Sequence, residues 1–311
     1  MSGGARPLVL VTGGAGFIGS HACEALLAAG LRVRVLDDFS TGNAANLASI
    51  WRDIEVAEGS IESPDALTRA MRDVRDVVHL AARSSVAESI AAAETYRRVN
   101  VDGTRALLAA AAGAGVRRIV FAASSSAYGD HAAPHDEGME PRPMSPYAAT
   151  KVAGEELVRE YARSGAGDSV SLRFFNVYGP RQDPNSAYAA VIARFSARIA
   201  AGQPVTIYGD GHQTRDFVHV TDTARAIVAA LEVPAALAGE VVNIGTGRAT
   251  SVLELATLIG RALGKPVSIL HQPARAGEVR DSVAVTRRAE ALLGFRASLA
   301  IEHWLASMHH A

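Results

Sequence analysis

Short apolar runs alternate with longer amphipathic stretches through the first half of the chain. The apolar runs predict strands, which lie at residues 7–13, 32–38, 54–59, 76–82, 117–124 and 169–177. The amphipathic stretches predict helices, of which the clearest lie at residues 16–29, 95–112 and 146–163. Strands that alternate with helices at this spacing predict βαβ units, and the uninterrupted apolar strands indicate a sheet covered on both faces. The expected fold is α/β, with a doubly wound parallel sheet.

The pattern changes after residue 177, where loop-forming residues become frequent in "GPRQDPNSAYAA". Helices at 187–201 and 251–263 and strands at 205–207 and 267–270 predict a smaller mixed α/β lobe at the C-terminal end. A helix at 222–231 and a strand at 240–247 have the character of the first half, and they are expected to return to the first lobe. The predicted domains are 1–176, completed by about 216–248, and a second lobe formed by 177–215 and 249–311.

Composition restricts the class of protein more than its fold. The chain has 311 residues, of which 49% are hydrophobic, and a formal net charge of −1, so no basic field indicates nucleic-acid binding. Cys23 is the single cysteine, which excludes an internal disulfide and a cysteine cluster for a metal. His79 and His21 have no partner at ligand spacing, so no metal is predicted. The apolar run near the N-terminus is too short for a signal peptide, and we expect a cytoplasmic protein without a membrane anchor.

A glycine loop follows the first predicted strand and opens the first predicted helix. Gly13, Gly16 and Gly19 are spaced G-x-x-G-x-x-G in "VTGGAGFIGS". Such a turn lets the backbone approach a pyrophosphate and directs a helix N-terminus at it, although a tight turn without a ligand is the alternative. Asp37 follows Gly19 by eighteen residues, at the end of the second strand. A carboxylate there binds a ribose hydroxyl and repels a 2′-phosphate, which favours NAD over NADP; a surface acid is the alternative.

The stretch "SPYAATK" places Tyr147 four residues before Lys151. Residues i and i+4 share one face of a helix, and Ser-Pro suits a helix start, so the two side chains are expected to be neighbours. Ser124 to Ser126 close another predicted strand, and ligands of open parallel sheets lie at the carboxyl ends of the strands. A nearby ammonium lowers the pKa of a tyrosine from ~10, which suits removal of a proton from a hydroxyl group. Chance exposure of two common residues is the alternative.

Motifs along nearly the whole chain resemble the extended short-chain dehydrogenase/reductase family, and within it the nucleotide-sugar 4-epimerases. They are "TGGAGFIGSH", "LDDFSTGN", "HLAARSSV", "NVDGT", "SSSAYGD", "SPYAATK", "RFFNVYGPRQDP", "IYGDGHQTRDFVHV" and "NIGTG". The resemblance implies a Rossmann-type NAD-binding domain and a smaller lobe for a UDP-sugar. It also implies Ser124, Tyr147 and Lys151 as the catalytic group, with Tyr147 removing the 4-hydroxyl proton. Hydride then leaves C4 for tightly bound NAD and returns to the other face of the 4-keto sugar.

The same resemblance implies the binding residues. Those for NAD are Gly13, Gly16, Phe17, Ile18, Gly19, Asp37, Asp38, Ser40, Thr41, Gly42, Ser60, Ile61, Leu80, Ala81, Ala82, Asn100, Tyr147, Lys151 and Phe174. Those for the substrate are Ser84, Ser125, Ser126, Asn176, Tyr188, Val191, Tyr208, Arg215, Arg275, Glu278 and Ser282. Within these sets Arg215 and Arg275 hold the diphosphate, unless each is a surface cation, and Tyr208 lies near the uracil, unless it is a core aromatic. Phe175 and Asn176 lie at the cofactor–substrate boundary.

Three positions separate this chain from other members of the resembled family. Related dehydratases carry an Asp-Glu pair where Ser125 and Ser126 stand here, and related decarboxylases carry a glutamate at the second position. Neither acid is present, which favours simple epimerisation. Ser282 is small and leaves room for an N-acetyl group at C2, so the expected substrates are UDP-GlcNAc/UDP-GalNAc and UDP-Glc/UDP-Gal. UDP-glucuronate remains an alternative substrate, and a non-catalytic NAD-binding regulator is the alternative from a different class.

Some features depart from the family pattern or go beyond one chain. Ser60 replaces the usual aspartate near the adenine, Glu278 replaces an aspartate near the ribose, and Asp38 is often asparagine. The resemblance further implies a homodimer in which the helices at about 95–112 and 146–163 pair across a two-fold axis. Their alanine-rich faces suit a close approach of helices.

Overall fold

A computed structural model describes residues 6–182, 189–274 and 279–307 of the chain, without the side chains of residues 189, 190 and 307. Its strands are β1 (Leu8–Thr12), β2 (Arg32–Asp37), β3 (Ile54–Glu58), β4 (Asp76–His79), β5 (Arg118–Ser124), β6 (Asp168–Phe174), β7 (Asn176–Tyr178), β8 (Val205–Tyr208), β9 (Thr214–Arg215), β10 (Phe217–His219), β11 (Glu240–Ile244), β12 (Thr250–Ser251), β13 (Ile269–Gln272) and β14 (Asp281–Ser282). Its helices are α1 (Phe17–Ala28), α2 (Pro64–Ala70), α3 (Val86–Ala91), α4 (Ala93–Arg97), α5 (Gly103–Ala114), α6 (Pro146–Arg163), α7 (Ala189–Ala200), α8 (Val220–Glu232), α9 (Val252–Ala262), α10 (Arg287–Leu293) and α11 (Ile301–Ser307).

A seven-stranded sheet in the order β11-β6-β5-β4-β1-β2-β3 forms the centre of the larger lobe. Each of its neighbouring pairs is parallel. The chain moves outward from β1 in one direction through β2 and β3 and in the other through β4, β5 and β6. The doubly wound parallel sheet predicted from the sequence is therefore confirmed.

Alternate residues of the central strands pack on opposite faces of the sheet, as the period of a strand requires. Val9 and Val11 of β1 face a core shared with α1, α8 and α10, whereas Leu8 and Leu10 face a core shared with α2, α5 and α6. Every residue of β1 is buried. The sheet is covered on both faces, which explains why its inner strands carry continuous apolar runs.

The smaller lobe has short strands and its own apolar core. Its sheets pair β10 with β7, β13 with β8, and β9 with both β12 and β14. The core of this lobe is formed by α7, β8, α9 and α11, with Ile207, Leu255 and Ile259 at its centre. Strand β11 pairs with β6, so the chain returns to the main sheet before it enters α9. The domain boundaries given above stay a prediction.

Several predicted elements differ in extent from those observed, among them the predicted strand 240–247, which ends at Ile244. The predicted strand 169–177 is two strands, because the chain leaves the main sheet at Phe175 and β7 pairs with β10 instead. The predicted helix 95–112 is interrupted by a π turn at Arg98–Asp102 between α4 and α5. The predicted strand 76–82 ends at His79. The sequence analysis did not predict α2 and α3, which are only seven and six residues long.

Helix α6 begins and is fixed by local chemistry that the sequence shows. The Ser145 hydroxyl accepts a hydrogen bond from the Ala148 amide at 3.1 Å, and Pro146 occupies the first turn. Further along, Glu155 forms a bidentate ion pair with Arg173 of β6, with distances of 2.8 and 2.7 Å, and both side chains are buried. The pair ties α6 to the sheet, because removing one partner would leave a buried charge uncompensated. No helix in the described ranges is long and apolar enough to cross a membrane.

Candidate active site

The glycine loop makes the tightest backbone contacts of the site. Gly13 has a φ of +71°, and a side chain there would place its Cβ 2.7 Å from the Ala81 amide nitrogen. A Cβ at Gly19 would lie 2.1 Å from the Gly13 carbonyl oxygen. Gly16 caps the N-terminus of α1 with an extended backbone. The loop therefore needs glycine at Gly13 and Gly19, and it leaves the amides at the start of α1 directed outward from the sheet edge.

Asp37, at the end of β2, is hydrogen-bonded both to the glycine turn and to the loop that follows β2. Its carboxylate accepts hydrogen bonds from the Ala15 and Phe39 amides, each at 2.9 Å, and it is buried. The Ala15 carbonyl in turn accepts from the Asn43 amide at 3.0 Å and from Asn46 Nδ2 at 2.9 Å. Burial raises the pKa of Asp37, and its two amide donors oppose that shift. The carboxylate has lone pairs left for a ribose hydroxyl, so its predicted role stays compatible with these contacts.

The predicted residues after Asp37 form an exposed rim. Asp38 accepts from the Ser40 amide at 3.0 Å and from its hydroxyl at 2.6 Å. Thr41 is exposed, and Gly42 lies so close to Asp37 that a Cβ there would be 2.9 Å from Oδ1. The chain at Gly42 therefore packs against the acid, whereas Asp38, Ser40 and Thr41 face outward.

The chain after β4 lies against the glycine turn. The Leu80 amide donates to the Thr12 carbonyl at 3.1 Å, and the Ala81 amide donates to Thr12 Oγ1 at 3.3 Å. Ala82 is partly buried and Ser84 is exposed. Leu80, Ala81 and Ala82 thus adjoin the glycine loop, as the predicted cofactor site requires. Ser84 lies further along the same loop.

A buried polar chain runs from β1 through β4 to α5. Thr104 Oγ1 donates to the Asn100 carbonyl at 2.6 Å, so it accepts from His79 Nε2 at 2.9 Å. His79 Nδ1 is then the acceptor for the Thr12 hydroxyl at 2.8 Å. His79 is neutral in this arrangement, and burial lowers its pKa to about 3. The sequence placed His79 in a strand without assigning it a partner.

The π turn places Asn100 between two loops of the site. Asn100 is buried, and its side chain makes two hydrogen bonds with the Arg83 backbone, at 2.8 Å to the amide and 3.0 Å to the carbonyl. Its Nδ2 also donates to Thr150 Oγ1 at 3.0 Å, and Thr150 donates to the Tyr147 carbonyl at 2.7 Å. Asn100 therefore connects the loop after β4 to the first turn of α6.

The loop after β3 contributes two predicted cofactor residues. Ser60 Oγ accepts from the Glu62 amide at 3.1 Å, which shapes the turn. Ile61 is buried, and a Cβ on Gly103 would lie 2.8 Å from its Cδ1. Ile61 thus packs at the start of α5, and its position depends on Gly103.

Lys151 of α6 is hydrogen-bonded to β5 close to Ser124, which ends that strand. Lys151 Nζ donates to the Ala122 carbonyl at 2.8 Å, two residues before Ser124 at the end of the strand. Ser124 Oγ accepts from the Ser126 amide at 3.2 Å and from its hydroxyl at 2.9 Å. Tyr147 is half-buried, one helical turn before Lys151, and packs edge-on against Tyr96 with ring centres 6.5 Å apart. These contacts place Lys151 close to the end of β5, and the joint catalytic role of Ser124, Tyr147 and Lys151 stays a prediction.

The charge on Lys151 is set by burial. Burial lowers the pKa of Lys151 to about 8, and the carboxylate of Glu155, one turn further along α6, opposes that shift. An ammonium with this pKa is mostly protonated at neutral pH. Ser125 and Ser126 are partly buried in the short turn that follows β5, and neither supplies an acid.

Two residues connect the catalytic strand to the smaller lobe. Phe174 is buried and stands opposite Ser124 in the pairing of β5 with β6. The next residue, Phe175, is also buried and donates its amide to the Ile244 carbonyl at 3.0 Å. Asn176 begins β7, so it lies where the chain passes from the larger lobe to the smaller one.

Arg215 and Ser282, distant in sequence, are neighbours in the structure. They face each other in the pairing of β9 with β14, and Ser282 is 9% exposed. Arg215 Nη1 donates to the Arg280 carbonyl at 3.1 Å. Tyr208 ends β8 and is partly buried, whereas Val191 of α7 packs against the apolar core of the smaller lobe. That packing favours a core role for Val191.

Three predicted substrate residues, Tyr188, Arg275 and Glu278, lie outside the described residues. Within the described part of the chain, no group of three or more histidine, cysteine, aspartate and glutamate side chains is arranged to hold a metal ion. A cleft of about 430 Å³ lies elsewhere, with Glu137, Glu240 and Arg288 in its wall, and its lining contains none of the predicted site residues.

Sequence reasoning missed the buried polar residues that hold the site together. Thr12, Thr104, Thr150 and Asp216 are all buried and all hydrogen-bonded to residues distant in sequence. Asp216 stands within the quoted motif "IYGDGHQTRDFVHV", which is the one signal that pointed to it. Thr12, Thr104 and Thr150 likewise stand in the quoted motifs "TGGAGFIGSH", "NVDGT" and "SPYAATK", but no role was assigned to them.

Comparisons with known proteins agree with this geometry. The model of the NAD dependent epimerase/dehydratase family matches residues 9–245. The UDP-glucose 4-epimerase of Mycolicibacterium smegmatis is 42% identical over 303 residues, which cover 96% of each chain. The structure of a UDP-N-acetylglucosamine 4-epimerase from Methanobrevibacter ruminantium, in complex with UDP-N-acetylmuramic acid, has a TM-score of 0.90 at 33% identity and covers 97% of this chain and 96% of that one. MoeE5 in complex with UDP-glucuronic acid and NAD has a TM-score of 0.85 at 38% identity, with 96% of each chain covered.

The neutral, buried His79 predicts a specific dependence of stability on pH. Its pKa is about 3 in the folded chain, whereas an unfolded histidine has a pKa of about 6.5. The stability that neutral His79 contributes is fully present above pH 6.5 and is lost as pH falls toward 3. In that range the unfolded chain takes up a proton at this histidine and the folded chain does not. The loss approaches about 1.4 kcal/mol per pH unit for this group. We expect the free energy of unfolding, measured in urea, to decline less between pH 6.5 and 4.5 in the His79→Gln variant than in the unaltered chain.

The comparison isolates His79, because the other buried histidines are unchanged in both proteins. His303→Gln, at an exposed position, is the control and should leave the decline as it is. An equal decline in the unaltered chain and in His79→Gln would contradict the prediction.

Proposed function

The chain belongs to the NAD dependent epimerase/dehydratase family, and we propose that it inverts the configuration at C4 of a UDP-sugar through a transient 4-keto sugar. NAD is its cofactor, and its class is that of the UDP-sugar 4-epimerases, which are isomerases. The observation that carries the proposal is the placement of the Tyr147–Lys151 pair. Lys151 is hydrogen-bonded to β5 two residues before Ser124, and Asn100 joins the first turn of α6 to the loop beside the glycine turn.

The residues present suit a dinucleotide. A Cβ at Gly13 or Gly19 would collide with the backbone of Ala81 or Gly13, so the glycines let the turn fold tightly beneath the N-terminus of α1, which offers amides to a pyrophosphate. Asp37 stands at the end of β2 with acceptor capacity for a ribose hydroxyl. When bound, NAD would supply the hydride acceptor for C4 and the hydride donor for the opposite face of the 4-keto sugar.

The proposed proton chemistry rests on Tyr147. Lys151 is a buried cation at neutral pH, with a pKa of about 8, and a cation beside Tyr147 favours the phenolate. The phenolate takes the proton from the sugar 4-hydroxyl, and Ser124 holds the same oxygen by a hydrogen bond. The return of the hydride to C4 and of the proton from Tyr147 to the sugar oxygen completes the cycle, so the reaction has no net redox change. Ser125 and Ser126 offer no acid for eliminating water, which supports epimerisation over dehydration.

The proposed substrates are UDP-GlcNAc/UDP-GalNAc and UDP-Glc/UDP-Gal. Arg215 offers a planar guanidinium for the diphosphate. Ser282 lies beside it in the β9–β14 pair and is small, which leaves room for an N-acetyl group at C2. UDP-glucuronate is a second candidate, because a structure at 38% identity holds UDP-glucuronic acid.

The first test is direct observation of the reaction. We expect the purified chain, incubated separately with UDP-GlcNAc, UDP-Glc and UDP-glucuronate, to form a C4 epimer that is followed by NMR of the anomeric protons. Tyr147→Phe should lower kcat by roughly 10²–10⁴-fold, because it removes the group that moves the proton. Tyr161→Phe is the matched control on the same helix, since its hydroxyl donates to the Val116 and Ala166 carbonyls, and neither residue belongs to the predicted site.

The outcomes separate the candidate functions. Epimer from UDP-glucuronate alone would replace the proposed substrates. No epimer from any of the three, with NAD supplied and bound, would favour the non-catalytic NAD-binding regulator over an epimerase. Equal kcat for Tyr147→Phe and the unaltered chain would remove Tyr147 from the mechanism.

Ser282 predicts which sugars the pocket accepts. Ser282→Tyr should raise KM for UDP-GlcNAc relative to UDP-Glc by at least about tenfold, because a bulky side chain overlaps the N-acetyl group. Ser282→Ala is the control, which keeps the position small and should leave the ratio of the two KM values unchanged. A ratio that does not move in Ser282→Tyr would show that another residue borders C2.

A homodimer through α4–α5 and α6 is also proposed. Ala109 of α5 and Ala149 of α6 are exposed, and small side chains of this kind allow helices to approach closely. Arg97, at the end of α4, forms ion pairs with Glu94 and Asp102 at 2.7 and 2.8 Å. These helices cover one face of the sheet, whereas α1 covers the other.

The dimer is tested by light scattering at micromolar concentration. We expect the mass of a dimer for the unaltered chain and a shift toward monomer for Ala109→Arg, because the new side chain blocks the approach. Ala28→Arg, at an exposed position on the opposite face, is the control and should leave the mass unchanged. A monomeric mass for the unaltered chain would contradict the proposal.

A further inference from the structure

Asp216 is a fully buried carboxylate between β9 and β10 that accepts four hydrogen bonds. Its Oδ1 accepts from the Thr246 amide at 2.8 Å and from the Thr246 hydroxyl at 2.6 Å. Its Oδ2 accepts from the Gly247 amide at 2.9 Å and from the Ala284 amide at 3.1 Å. The ion pairs among the described residues include none that involves Asp216. Its four contacts are therefore made with neutral donors from two other segments of the chain.

The contacts fit the ionised form of Asp216. Every neighbour of the carboxylate is a donor, and a protonated carboxyl group would have to direct its own hydrogen at one of them. The Thr246 hydroxyl accepts from the Arg248 amide at 3.1 Å, so its own hydrogen is free to point at Asp216. Burial raises the pKa of Asp216, and all four donors oppose that shift.

The chain approaches Asp216 as closely as a glycine permits. A Cβ at Gly245 would lie 2.7 Å from Asp216 Oδ2 and 2.8 Å from Ala284 Cβ. The loop after β11 and the segment after β14 therefore converge on one carboxylate. The Asp216 carbonyl also accepts from the Asn176 amide at 3.0 Å, which brings in the start of β7.

Three predicted substrate residues thus depend on the same point. Asn176 is bonded to the Asp216 backbone, Arg215 directly precedes Asp216, and Ser282 stands two residues before Ala284. The strands that carry Arg215 and Ser282 are only two residues long, so their own pairing supplies few hydrogen bonds. The residue that precedes β14 helps to orient Arg215, because the Arg215 guanidinium donates a hydrogen bond to the Arg280 carbonyl. A shift of that segment would move both Arg215 and Ser282.

We propose that Asp216 is a positioning residue of the UDP-sugar pocket, whose carboxylate holds Arg215 and Ser282 in place relative to Asn176. It acts through the backbone amides of Gly247 and Ala284 and touches no substrate itself. The proposal rests on the proposed function, because it assigns Asp216 to the substrate side of that site. The glycine loop follows β1 and Lys151 lies on α6, so the cofactor side does not depend on Asp216.

The test is Asp216→Asn, in which an amide NH₂ replaces one oxygen and faces at least one backbone N–H that it cannot accept from. We expect KM for the UDP-sugar and the Kd for UDP, measured by titration calorimetry, to rise by at least about tenfold. The NAD content of the purified protein should stay unchanged, and kcat should fall by less than KM rises. Thr246→Val removes only the hydroxyl donor and should raise the Kd for UDP by a smaller factor than Asp216→Asn does. It replaces Asp216→Asn in the test if that variant fails to fold.

Asp222→Asn is the matched control. Asp222 is also buried and accepts hydrogen bonds from the Ser298 and Leu299 amides, each at 2.8 Å. These amides belong to the C-terminal segment and not to a strand that carries a predicted substrate residue. If general loosening were the cause, this variant would weaken UDP binding as much as Asp216→Asn does. We expect it to leave the Kd for UDP within about twofold, since its contacts are remote from the pocket.

The outcomes distinguish the inference from the proposed function. If the unaltered chain binds no UDP, the proposed function fails. If it binds UDP, and folded Asp216→Asn or Thr246→Val binds UDP equally well, the positioning role fails. Equal weakening by Asp216→Asn and Asp222→Asn, or a parallel loss of NAD from Asp216→Asn, would also overturn it.

Discussion

Parallel pairing of β1, β4, β5 and β6 brings their carboxyl ends to one edge of the sheet, and the candidate site depends on that edge. The glycine turn follows β1, the loop that starts at Leu80 follows β4, and Ser124 and Phe174 end β5 and β6. A parallel sheet needs helical crossovers on both faces, so the same constraint places α1 beneath the glycine turn and α6 beside Ser124. The site is a consequence of how the sheet is wound.

Buried polar groups then fix the loops at that edge. His79 has both ring nitrogens satisfied by threonine hydroxyls, and the side chain of Asn100 is satisfied by Arg83 and Thr150. A buried polar group that loses its partner costs about 1–3 kcal/mol, so each of these loops has one strongly preferred position. A catalytic tyrosine and a cofactor need such fixed positions, because small displacements reduce the rate of reaction.

The two sides of the proposed pocket are stabilised in different ways. On the cofactor side, strands of four to seven residues set the geometry through many ladder hydrogen bonds. On the substrate side, β9 and β14 have two residues each. The Asp216 carboxylate binds the loop after β11 and the segment after β14 through their backbone amides. Short strands joined by side chains tolerate substitution, because a few changes there alter the proposed pocket and leave the sheet intact.

The sequence by itself determined the features that are set over a few residues. The strand-and-helix alternation, the glycine spacing, the start of α6 and the i, i+4 relation of Tyr147 to Lys151 are all local, so the printed residues were sufficient to predict them. Only the tertiary structure decided the π turn that buries Asn100, the exit of β7 from the main sheet and the neutral state of His79. It also decided the convergence on Asp216, whose carboxylate partners lie up to 68 residues away. Burial and long-range hydrogen bonds depend on which segments meet, and that is a property of the folded chain alone.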